Sequence, residues 1–197
     1  YTTGAFGKWG LGQPGSSGDP TRQGVDEFFG YNCQLLAHNY YPDHLWHNRT
    51  RVELPENANG NFGTYSQDLI QQHTLRFIEE NKSKPFFLYV PLVLPHAELV
   101  VPEDAIFEHF KGKYPENPYK GTDSGPMFRK GGYASQAYPK AAYAAMVARL
   151  DKYVGEIVEE LKRQGIYDNT LIVFTSDNGP HREGGNDPDY FNSNGIY

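Results

Sequence analysis

The run from Tyr143 to Leu161 constrains the fold of this chain more than any other stretch. Tyr143, Met146, Val147, Leu150, Tyr153, Val154, Ile157, Val158 and Leu161 recur at the spacing of one helix face. Lys162 and Arg163 follow where a last turn favours cations, and Gly165 suits the residue that closes a helix. Short β-prone runs flank this segment, Phe86–Val90 (FFLYV) before it and Thr170–Thr175 (TLIVFT) after it. Continuous apolar runs of this length suit strands covered on both faces of a parallel sheet. Strand, helix and strand in this order predict a βαβ unit with a right-handed crossover, and hence an α/β fold.

The rest of the chain fills in around that unit. Residues 1–12 read as a short strand entering a glycine-rich turn. A helix is expected over 65–81, with Thr64 and Gln67 as a capping box, Leu69, Ile70, Phe77 and Ile78 as its apolar face, and Lys84-Pro85 as its stop. Residues 13–62 and 97–138 read mostly as loop, with a short helix at 102–110; the 21 Gly and 14 Pro accord with long irregular connections. The formal net charge is −6 and no basic stripe is present, which argues against nucleic acid as a partner. The longest apolar stretch, Phe86–Leu94, is too short to span a bilayer. Cys33 is the sole cysteine, so neither an internal disulfide nor a cysteine-based metal site can form.

Parallel α/β sheets bind ligands beyond the carboxyl ends of their strands. His96 follows one such end and Asp177-Asn178 the other. A carboxylate beside a carboxamide offers oxygen donors suited to calcium or magnesium, although Asp-Asn-Gly is equally a favoured turn. Two oxygens cannot complete a calcium shell. His96 is placed to serve as a general acid or oxyanion donor, or else is a solvated loop histidine. Lys8, between Gly7 and Trp9, either holds an anion or is an ordinary surface lysine. The segment Gly30–His47 mixes Tyr, Trp, His and Asn, His38 and Asn39 among them. That mixture suits stacking on a sugar or aryl ring, or packing of the loop onto its own domain. His38, His44 and His47 lack the spacing of a zinc site, and nothing beside Cys33 activates it as a nucleophile.

Four ordered segments together resemble the sulfatase (arylsulfatase) family of the alkaline-phosphatase-like superfamily. Tyr1–Gly12 (YTTGAFGKWGLG) is similar to the family signature G-Y-x-T-x-x-x-G-K-W-H-L-G. Gln23–Tyr31 (QGVDEFFGY) is similar to H/Q-G-F-D-x-F-x-G, and Pro85–Val90 with Pro95-His96 and Val101-Pro102 to P-F-F-L-Y followed by P-H and V-P. Asp168–Gly179 (DNTLIVFTSDNG) is similar to D-N-T-L-V-I-F-T-S-D-N-G. Singly these are modest signals; in order, and running nearly end to end, they are specific.

The resemblance implies an α/β/α sandwich with a mostly parallel sheet, and hydrolysis of sulfate esters by attack of a hydrated formylglycine on sulfur with the help of calcium. It maps calcium ligation to Asp177 and Asn178, sulfate contact to Lys8, and a role at the leaving group or sulfate oxygen to His96. Sulfated carbohydrate or aryl sulfate is the implied substrate, and a periplasmic or secreted setting the family habit.

Two departures qualify this mapping. The histidine usual two places after the lysine is Gly10 here, and His38 is the proposed stand-in. No C/S-x-P-x-R occurs, nor the family's paired aspartates or its later lysine. The 197 residues are therefore expected to be the middle of one catalytic domain cut at both ends, inactive alone, with an incomplete calcium site and the formylglycine elsewhere. A phosphoesterase of the same superfamily and a non-catalytic carbohydrate-binding module are the alternatives.

Overall fold

A computed structural model describes residues 1–125, 128 and 132–196. Strand β1 (Thr2–Lys8), in which Ala5 and Phe6 are buried, is paired on both sides. β1 runs parallel to β2 (Glu27–Tyr31) on one side and to β5 (Phe86–Tyr89) on the other. β2 continues antiparallel to β3 (His44–His47), and β3 to β4 (Thr50–Glu53), giving a five-stranded sheet in the order β4-β3-β2-β1-β5. The sheet is thus parallel from β2 to its β5 edge and antiparallel from β2 to its β4 edge.

Three of these strands lie in the region expected to be mostly loop. β2, β3 and β4 are four or five residues long and interrupted by Gly, His and Arg, so no alternation long enough to read survives in the sequence. Tertiary anchors define them instead. Asn48, in the two-residue turn between β3 and β4, adopts φ 52° and accepts a hydrogen bond from the Phe28 N–H through Oδ1 at 2.8 Å. Asp19, fully buried, organises the loop before β2. It accepts from the Gly15 and Thr21 N–H groups, the Thr21 hydroxyl and Arg49 Nε. Burial raises its pKa, but these hydrogen bonds outweigh burial and hold the carboxyl well below its usual range.

Helix α1 (Ser66–Asn81) lies where expected and packs on β1 and β2. The expected capping box does not form: Tyr65 occupies the N-cap position without a side-chain bond. The helix start is tied instead to Tyr40, whose carbonyl accepts from both the N–H and the hydroxyl of Ser66. The short helix α2 (Ala105–Phe110) is capped by Asp104, which accepts from the Ile106 and Phe107 N–H groups. Helix α3 (Pro139–Arg163) begins at a proline, before its apolar periodicity starts, and its first turn is held by Glu116 through the Lys140 and Ala141 N–H groups. Buried Arg149 of α3 pairs with Asp104 before α2 and with Asp68 of α1, locking the three helices together.

The βαβ unit does not close. Residues 170–175 pair with no strand among the described residues; Leu171 is 90 % and Val173 76 % exposed. An apolar run records a preference for a ladder, and a ladder needs a partner edge. β5 is the sheet's edge among the described residues and is covered on one face only. Phe86 packs edge-on against Phe77 of α1 at 5.8 Å, whereas Phe87 and Tyr89 stay exposed.

The aromatic loop resolves inward. Tyr31, Tyr40 and Tyr41 are buried; the Tyr31 hydroxyl bonds Ser66 and the Asn39 carbonyl, and Tyr40 stacks on Tyr65. Where β1 and β2 meet in register at Gly7 and Gly30, φ is 142° and 150°, and a Cβ on Gly30 would collide with the Gly7 carbonyl. Gly30→Ala is expected to destabilise the fold by ~3 kcal/mol, measured as a lowered urea midpoint with an unchanged slope.

Candidate functional site

The carboxyl ends of β1 and β2 and the segment after β5 converge. The Lys8 N–H donates to the Pro91 carbonyl at 2.9 Å, binding the end of β1 to the chain that leads to His96. The loop after β2 turns back through His38 and is stitched to the same chain. The Tyr40 hydroxyl donates to the His96 carbonyl at 2.8 Å, and the Glu98 N–H to the His38 carbonyl at 3.4 Å.

Three imidazoles then stack. His38 and His96 lie with ring centres 5.2 Å apart and planes 6° apart. His181 continues the stack against His96 at 5.2 Å and 23°. Each ring is held differently. His96 Nδ1 lies 2.7 Å from the Ala97 carbonyl, so Nδ1 carries the proton and donates, leaving Nε2 directed elsewhere. His181 Nε2 lies 3.0 Å from the Pro95 carbonyl while its Nδ1 accepts from the Glu183 N–H at 3.2 Å, which fixes a neutral ring. His38 Nδ1 is buried without a hydrogen-bond partner among the described residues.

The electrostatics follow from these placements. Burial lowers the His38 pKa, and repulsion by His96 and Lys8 adds to it against the pull of Glu183. Burial likewise lowers that of His181. Glu183 is kept ionised, chiefly by the hydrogen bond from the Tyr133 hydroxyl to its Oε2 at 2.5 Å, which outweighs the opposing effect of burial. Its Oε2 also stands 3.9 Å from His96 Nε2. Burial, then the Glu183 carboxylate, pushes the Tyr133 phenol up, so Tyr133 stays a donor. A lysine near His38 and a set of imidazoles beside one carboxylate can hold an anion and move a proton at its edge.

Of the six residues expected to form the site, Lys8, His38 and His96 come together. Asn39 has its side-chain oxygen engaged locally. It is buried, and Oδ1 accepts from the Tyr41 N–H at 2.9 Å in a local turn. Asp177 and Asn178 sit in an exposed turn, where Asn178 Nδ2 donates to the Gly179 carbonyl and its own carbonyl accepts from the Ser176 hydroxyl. No group of three or more potential metal ligands occurs among the described residues. With two adjacent oxygen donors against the six to eight that calcium takes, these residues alone do not fit the ion. Gly10 has φ 72°, and a Cβ there would meet the Gln34 side chain at 2.7 Å, so a histidine at this position would be strained.

His181, Glu183 and Tyr133 were not anticipated. His181 and Glu183 are two apart in an irregular segment, a spacing that puts both on one side of extended chain. Tyr133 comes from the long 97–138 excursion and carried no signal.

Residues 1–195 match the Sulfatase family profile. Arylsulfatase J of Mus musculus is 30 % identical over 91 % of this chain, and the arylsulfatase of Hemicentrotus pulcherrimus 30 % over 93 %. The chain spans 27 % and 30 % of the length of these relatives. Among solved structures, Ps i-CgsB in complex with k-i-k-neocarrahexaose superposes with a TM-score of 0.69 and 29 % identity, over 94 % of this chain and 39 % of that one. The arrangement of sheet and helices is accordingly that of an alkaline-phosphatase-like α/β fold. No helix among the described residues is long and apolar enough to cross a membrane.

The depressed histidines make the fold sensitive to acid. His38 and His181 are lowered from 6.5, as is His73, which burial and Arg76 bring to about 4. The unfolded chain therefore takes up these protons first. Stability is complete above about pH 6.5 and is lost as pH falls towards 4. Urea midpoints measured from pH 7 to pH 5, above the titration of ordinary carboxylates, should decline steadily, and His73→Asn should flatten the decline.

Proposed function

The chain belongs to the sulfatase family, and on that premise we propose that it supplies part of a site hydrolysing sulfate esters in the full-length protein. The net reaction is ROSO3− plus water to ROH plus HSO4−. What carries the reading is the meeting of Lys8, His38 and His96 beyond the carboxyl ends of parallel strands, with rings stacked at 5.2 Å and Lys8 close enough to repel a proton on His38.

In this reading the Lys8 ammonium holds a sulfate oxygen and offsets charge that builds there as the S–O bond breaks. The leaving alkoxide needs a proton; with Nδ1–H held on the Ala97 carbonyl, His96 in its doubly protonated form delivers one from Nε2 and is left as the neutral ring. His38 takes the place of the histidine that the family carries at position 10, where this backbone is left-handed and tight. A formylglycine would supply the nucleophile and must come from outside these 197 residues, since they contain no C/S-x-P-x-R. Calcium belongs to the same proposal, with Asp177 and Asn178 as two of its ligands and the remaining oxygens from outside these residues. Sulfated carbohydrate is the favoured substrate class, in keeping with the oligosaccharide complex of the structural neighbour. A secreted or periplasmic setting completes the proposal.

The test uses the full-length protein and 4-nitrophenyl sulfate. Lys8→Ala and His96→Ala should each lower kcat/KM by about 10²–10³, and His38→Ala should reduce kcat. Unchanged turnover in His38→Ala would remove that residue from the chemistry. Residues 1–197 alone should show no turnover, and 4-nitrophenyl phosphate should be the poorer substrate of the full-length protein.

A further inference from the structure

We propose that Glu183, positioned by Tyr133 beside His96, selects substrates bearing a hydroxyl rather than a second anionic group next to the scissile sulfate. This rests on the sulfate-ester reading of the site and adds a specificity residue to it.

Glu183 has an unusual position. A site made of Lys8, His38 and His96 would hold an anion better without a carboxylate nearby, yet Glu183 Oε2 stands 3.9 Å from His96 Nε2. The placement is built. The Tyr133 hydroxyl donates to the same oxygen at 2.5 Å, and the backbone N–H of Glu183 is held by His181 Nδ1 at 3.2 Å. His181 in turn is anchored on the Pro95 carbonyl, next to His96 itself. Two elements distant in sequence, the 133 region and the 181–183 segment, therefore converge to fix one carboxylate against the catalytic imidazole.

The carboxylate is only half used. Oε2 faces Tyr133 and His96, while Oε1 has no hydrogen-bond partner among the described residues, and the side chain is 54 % exposed. Tyr133 remains a phenol and Glu183 remains ionised, so the group at this point is a pure acceptor with an open oxygen. An open acceptor beside the sulfate pocket suits a hydroxyl on the sugar carbon adjacent to the ester. A sulfate or carboxylate at that carbon would meet like charge and would leave the acceptor unpaired.

The experiment compares three substrates with the full-length protein: 4-nitrophenyl sulfate, a monosulfated sugar with a free neighbouring hydroxyl, and its disulfated counterpart with sulfate on that neighbouring carbon. The readout is the ratio of kcat/KM for the mono- and disulfated sugars. Any general effect of the substitution on His96 enters both terms and cancels. The wild-type protein should favour the monosulfated sugar, and Glu183→Gln should shift the ratio towards the disulfated one by about tenfold, mainly through KM. Tyr133→Phe, which frees the carboxylate without removing its charge, should move the ratio less. An unchanged ratio in Glu183→Gln, with 4-nitrophenyl sulfate still hydrolysed by the wild type, would overturn the specificity role alone. Failure of the wild-type protein to hydrolyse any of the three would overturn the sulfatase reading and this inference with it.

Discussion

A side chain on Gly30 would strike the carbonyl of Gly7, and one on Gly7 would strike the carbonyl of Pro91. Three backbones thus approach at a distance only glycine permits, and the candidate site depends on that approach. It brings the end of β1, with Lys8, under the chain that runs from β5 to His96, and it holds β2 so that its following loop returns with His38. The Gly7↔Gly30 register and the Lys8–Pro91 hydrogen bond are two views of the same constraint.

Around that junction, tyrosines do the fastening. Tyr31 ties the end of β2 to Ser66 at the start of α1 and to the Asn39 carbonyl, and Tyr40 ties the His38 loop to the His96 carbonyl. These hydroxyls are buried and satisfied, and they fasten the loops to the strands and helix beside them. The abundance of tyrosine in a loop-rich chain therefore has a structural use. Tyr31, Tyr40 and Tyr41 furnish core volume, and Tyr31 and Tyr40 add an anchoring hydrogen bond, rather than a platform for a sugar.

The site that results is a column of imidazoles flanked by one lysine and one carboxylate. Its rings are not equivalent. His181 is neutral and structural, holding Glu183, while His96 keeps Nε2 for other work. Asp177 and Asn178 lie four and three residues before His181, yet their exposed turn offers a cation too few oxygens. Anion binding and cation binding are thus unequally developed in these residues.

Much was legible in the sequence wherever a local rule decided the outcome. Helices α1 and α3 followed from apolar periodicity, and β1 and β5 from β-prone runs; Lys8 and His96 were singled out by the resemblance to sulfatase motifs, and His38 by its place in a polar aromatic loop. Local rules failed where the deciding partner lay far along the chain. The strands β2 to β4 are too short to show a period and are set by Asn48 and by pairing. The run TLIVFT has every strand preference, yet pairs with no strand among the described residues. Asn39 looked like a polar loop residue, and its Oδ1 closes a local turn with Tyr41. Stacking of His38, His96 and His181, and the meeting of Tyr133 with Glu183 across 50 residues, were decided only by tertiary structure. Side chains on separate loops become neighbours only when the strands beneath them are paired, and pairing is a property of the whole sheet.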